Sequence, residues 1–148
     1  MVTKHFNEPR ELAYGAIHAE LFQEETSWIN RGSNTIFAGK TQRDLLIFAM
    51  ALGRLKGQKS DVKDRQSNIP VSNMPEKQKW AILSIALAEH NDLMCLKDEN
   101  PHYREAERYA NEGLKILRSH IDKWGVDYPR YLEAELRDIL KKSTKTLE

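Results

Sequence analysis

Cysteine is nearly absent from this chain: Cys95 is the only one among 148 residues. One thiol excludes an internal disulfide framework and fits a reducing compartment. Long apolar runs are missing too. No stretch approaches the roughly 20 residues needed to span a bilayer. The first residues, MVTKHFNEPRE, lack the apolar core of a secretory signal. These absences lead us to expect a cytoplasmic protein. No segment alternates apolar and polar residues as a half-buried strand does, and no internal repeat is present. Charge of one sign is also lacking overall, because 23 basic and 22 acidic residues leave a formal net charge of +1.

That balance hides an uneven distribution. Residues 40–79 carry 9 basic and 4 acidic groups, whereas residues 80–114 carry 3 and 7. The basic block invites a polyanion partner. Within it, Arg54, Lys56, Lys59, Lys63 and Arg65 are the candidate nucleic-acid contacts. The competing reading is a solvated loop. Side chains of this kind touch phosphates and carry little sequence information.

The most ordered signal is TQRDLLIFAMALG, Thr41 to Gly53. Thr41 and Asp44 have capping-box spacing, Leu45 to Leu52 are all apolar, and Gly53 begins the exit. A helix apolar all round is buried on all sides, so this one is expected at the centre. A first helix is predicted from Pro9 to about Glu25, with Leu12, Ala13, Ala16, Ile17 and Leu21 on one stripe. Residues 28–40 read as irregular, anchored by Ile36 and Phe37. Residues 57–75 read as a long flexible loop pinned by Ile69 and Val71. Pro75 starts a third helix carrying Trp80, Ile82, Leu83, Ile85 and Ala86. Asn100-Pro101 opens a fourth, in which Gly113 points to close helix packing, and Trp124-Gly125 ends it. A last helix runs from Pro129 to about Lys142, leaving a tail of residues 143–148 expected to be disordered. The fold expectation is a single all-α domain, residues 1–148, of about five helices around a buried central helix, with one long loop. Leu45, Phe48, Ala49, Leu52, Ile82, Ile85, Ala86, Tyr109, Leu114 and Leu117 are its predicted core. The near-absence of polar face on helices 41–56 and 79–89 suggests a homodimer.

Catalytic chemistry finds little support. Gly39-Lys40-Thr41 opens a helix, but a phosphate loop needs glycine five residues before Gly39, where Asn34 stands, and a preceding strand. The histidines His5, His18, His90, His102 and His120 form neither Glu-x-x-His nor His-x-x-x-His, which leaves a di-iron or helical zinc site unsupported. Asp98, Glu99, Glu105 and Glu107 read as carboxylates complementing a helix N-terminus. Cys95, beside Leu93, Met94 and Leu96, reads as a buried inert thiol. We therefore expect no catalytic residues, no metal and no cofactor; a small hydrolase or nuclease is the least favoured alternative.

Two segments carry a resemblance. In TQRDLLIFAMALGRLKG the residues are Asp44, Phe48, Ala49, Ala51, Leu52, Gly53 and Gly57; further on they are Ala86, Leu87, Ala88, Glu89, Tyr109, Ala110, Asn111 and Gly113. Together they resemble the signature of a small bacterial family, the Dnd (DNA phosphorothioation) system-associated small proteins. Glu112 departs from it, standing where a second glycine is expected. The resemblance implies a non-enzymatic accessory or adaptor protein of a modification-restriction defence system, partnered by other proteins of that system. Direct DNA binding through segment 54–65 is the alternative.

Overall fold

The computed structural model describes residues 5–23 and 25–147. The chain is mostly helical, but it is not all-α. In order it forms β1 (Glu11–Gly15), a short helical passage ending in α1 (Ala19–Gln23), α2 (Gln42–Lys56), β2 (Arg65–Pro70), α3 (Glu76–His90), a 3-10 turn (Leu93–Lys97), α4 (Asn100–Trp124) and α5 (Tyr128–Leu147). The predicted end of the last helix near Lys142 is exceeded, and Glu148 lies outside the described residues.

The two strands correct the predicted first helix and the predicted loop. β1 and β2 pair antiparallel, with Leu12 opposite Ile69 and Gly15 opposite Arg65. Gly15 disfavours helix continuation, and Leu12, Ala13 and Tyr14 are buried consecutively rather than on a helical stripe. Ile17, placed on the buried stripe by spacing, is 76% exposed. Between Leu12 and Tyr14 the register slips, so β2 carries one extra residue opposite Ala13. The Ala13 N–H turns instead to Glu107 Oε2 at 2.8 Å.

α2 begins as expected. Thr41 and Asp44 exchange both bonds of a capping box. The helix ends at Lys56, as expected, with Gly57 at φ 66° as the left-handed cap; Gly53, read as beginning the exit, lies inside the helix. α2 is not wrapped on all sides either, because Ala51 and Leu55 are exposed and Ile47 and Phe48 are only half-buried. The central place belongs to α4, which buries Tyr103, Ala106, Tyr109, Ala110, Leu114 and Leu117. Where α2 and α4 cross, Gly53 faces the Tyr109 carbonyl and Gly113 faces the Ala49 carbonyl, so closely that a methyl group at either position would overlap backbone. Of the predicted core, Phe48 and Ile85 are half-buried and the other eight residues are buried. No helix is long and apolar enough to cross a membrane among the described residues.

Candidate functional site

The last turn of α2 and the segment after it position the candidate cations. Arg54 Nε lies 3.4 Å from Glu89 Oε1 on α3. Lys56 pairs with Glu135 on α5, and Lys59 with Glu105 on α4. Arg65, on β2, pairs with Glu107. Lys63 is exposed and makes no side-chain ion pair among the described residues. Four of the five cations are therefore engaged by carboxylates of three different helices. Arg54, Lys59 and Arg65 of the basic block at 40–79 meet Glu89, Glu105 and Glu107 of the acidic block at 80–114.

These pairs differ in strength. The hydrogen bond that Lys59 donates to Glu105 raises the Lys59 pKa; burial raises that of Glu105, but the bonds from Lys59 and Arg108 outweigh it and hold the carboxyl low. Exposed pairs of this type contribute about 0–1 kcal/mol and yield readily to a competing phosphate. Arg65 is different, because its partner Glu107 is 2% exposed and also accepts from Arg104 at 2.7 Å. Spacing casts Glu107 as a complement to a helix dipole; in the fold it is the carboxylate that ties both strands to α4. Glu99 stands at the N-cap position of α4, but its side chain makes no capping bond there.

Beside Lys59 opens a cleft of about 580 Å³ between α3 and the first turns of α4. Ile82, Ile85, Ala86 and Ala106 form its floor, and Glu89, Asp98 and Glu105 form an acidic rim. The Tyr109 hydroxyl donates to Glu89. Burial, then that bond, raises the Tyr109 pKa, so the phenol stays protonated. His102 Nε2 donates to the Cys95 carbonyl at 2.7 Å, which fixes the ring in the cleft wall. Cys95 is half-buried on the wall rather than sealed in the core, because its apolar neighbours Leu93 (74% exposed) and Met94 (57%) ride outward on the 3-10 turn. Glu89 and Glu105 already face Arg54, Lys59 and Arg108, so an apolar side chain flanked by basic ones would enter by exchanging with these exposed pairs.

Sequence spacing did not reveal this cleft, since its walls come from segments separated by the turn at Asn91, where φ is 54°. The residues that carried the family resemblance are positioned mainly for architecture. Ala49, Gly53 and Gly113 form the α2–α4 crossing. Asn111 holds the segment after α2 by donating to Ser60 Oγ at 2.7 Å. Glu89 lines the cleft, and Tyr109 holds it there by donating its hydroxyl hydrogen. The predicted turn at Gly39 spends its N–H on the Ile29 carbonyl at 2.9 Å.

Among known proteins, the family described as DNA sulphur modification system-associated protein 4 has a model that matches residues 17–148. No curated protein and no solved structure matches the chain.

Proposed function

Because the chain belongs to the DNA sulphur modification system-associated protein 4 family, we propose that it is a cytoplasmic, non-enzymatic adaptor that docks onto another protein of that system. The observation that carries this reading is the cleft between α3 and α4, with its apolar floor, acidic rim and the outward-facing Leu93 and Met94 beside it. Its occupant is a basic, apolar-anchored segment of the partner. Ile85→Glu and Met94→Glu place charge on the floor and the lip. Both are expected to abolish co-elution with the sulfur-modification proteins in size-exclusion chromatography, with the helical circular dichroism unchanged. Undiminished co-elution of both variants would remove the cleft from the interface.

Direct DNA contact is the second reading, and Lys63 is the observation that favours it, being exposed and without an ion pair among the described residues. Lys59 and Lys63 replaced by Ala would then flatten the salt dependence by about two log–log units, on the order of one for each lost phosphate contact. An unchanged slope, or no binding to modified or unmodified duplex at low salt, leaves the adaptor reading alone. Residues 1–148 act as one domain in either reading, for which a single unfolding transition is expected. Self-association through uncovered apolar surface belongs to the adaptor reading: a groove of about 460 Å³ between α2 and α3 is lined by Met50, Ala51, Leu55, Ala81 and Ile85.

A further inference from the structure

The start of the described chain is fastened to the fold through a histidine held between two carboxylates. His5 Nδ1 lies 2.9 Å from Glu99 Oε1, and His5 Nε2 lies 2.9 Å from Glu76 Oε2. Glu99 is 2% exposed, and its second oxygen accepts the Phe6 N–H at 2.8 Å. Glu8, in the same segment, stands 3.2 Å from Lys79 Nζ. His5, Glu8 and Glu99 thus bring ligand atoms within 4.8 Å of one another. We propose that these three residues bind a divalent ion of the zinc class, through His5 Nδ1 and the two carboxylates.

Four features support the assignment. The donor set is one imidazole and two carboxylates, which zinc accepts at about 2.0–2.2 Å in tetrahedral geometry with a water in the fourth position. Ligand atoms on such an ion are separated by somewhat over 3 Å, so a modest inward movement of the Glu8 side chain closes the set. Glu76 accepts from Nε2 and Glu99 from Nδ1, so His5 donates from both nitrogens without an ion; a bound ion would displace the Nδ1 proton while Glu76 keeps the one on Nε2. A carboxylate on the far ring nitrogen is the usual support of a metal-bound histidine. The Tyr103 hydroxyl is fully buried without a hydrogen-bond partner among the described residues, and burial together with the charges of Glu8, Glu99 and Glu76 holds it protonated. Its proton has no acceptor until a carboxylate reorients or a metal-bound water arrives. Charge also balances. Glu8, Glu76 and Glu99 against Lys79 and a protonated His5 leave −1; a divalent ion with neutral His5 leaves zero. The imidazole donor disfavours magnesium and calcium, which take oxygen ligands.

The ligands and their support come from the starts of α3 and α4 and from the leading segment. His5 and Glu99 are 94 positions apart, which is why helical spacing rules missed them. Calorimetric titration of the chelator-stripped full chain with Zn²⁺ tests the site. One zinc per chain is expected. His5→Gln and Glu8→Gln should each weaken it more than about tenfold, and Glu76→Gln by about 10- to 100-fold at unchanged stoichiometry. Glu8 is partly exposed, so its variant is expected to fold, and circular dichroism verifies this. His90→Gln and His102→Gln, in the cleft, should leave zinc binding as it is. Absence of zinc binding by the wild type overturns the proposal. So does binding that survives His5→Gln and Glu8→Gln but is lost in the cleft variants.

Discussion

Glu107 concentrates more structure on one side chain than any other charged residue described above. It receives Ala13 N–H from β1, Arg65 from β2 and Arg104 from its own helix. Removing Glu107 leaves the buried Ala13 N–H without its partner, while Arg65 and Arg104 remain partly solvated, so Glu107→Ala is expected to cost about 1–3 kcal/mol in a urea melt. His18 is the complementary case, a buried imidazole with neither ring nitrogen hydrogen-bonded among the described residues. Burial first, then Arg118 and Lys115, lowers its pKa to about 4. Between that value and the free value of about 6.5 the unfolded chain binds a proton that the fold refuses. Stability therefore falls as pH drops through this window, by about 1.4 kcal/mol for each pH unit crossed. The His18 ring protons should titrate near pH 4 by NMR; a midpoint near the free value would show the ring to be solvated. None of this was legible in sequence, because Glu107 and His18 differ from their solvated namesakes only in what surrounds them.

At the level of elements, what was readable depended on locality. α2, α3 and α4 announce themselves by apolar runs, a capping box and Gly exits, all determined within a few residues. β1 and β2 do not, since each is stabilised by a partner far away in sequence and neither alternates. The α2–α4 crossing shows how differently two glycines act. At Gly113 a methyl group meets the Ala49 backbone, so Gly113→Ala should destabilise by at least about 3 kcal/mol. At Gly57 the surroundings are open and only the left-handed φ of 66° opposes a side chain, so Gly57→Ala should cost about 1 kcal/mol in the same chemical melt. Equal losses would contradict the close crossing. Phe48→Ala, at a half-buried position, should fall below the roughly 3–5 kcal/mol of a fully buried phenylalanine.

Across the whole molecule, the uneven charge that invited a polyanion is in part an internal complementarity: cations in the last turn of α2 and after it meet carboxylates on α3, α4 and α5. The cleft was invisible for the same reason the pairing was, because both arise from folding distant segments together. Uncovered apolar surface also includes Leu136 (44% exposed) on α5. If that surface self-associates, sedimentation at micromolar concentration should exceed the 17.2 kDa monomer mass; a clean monomer would end the dimer proposal. The two-stranded sheet carries one further consequence. A lone strand pair is marginal in water, and this pair is held to α4 by the Glu107 side chain and to the core by Leu12, Tyr14 and Ile69, so its order depends on that packing. In hydrogen exchange, the slow amides of β1, β2 and the middle of α4 should share one opening free energy, as a single cooperative unit. Glu107→Gln should release the strand amides first and uncouple them from the helix.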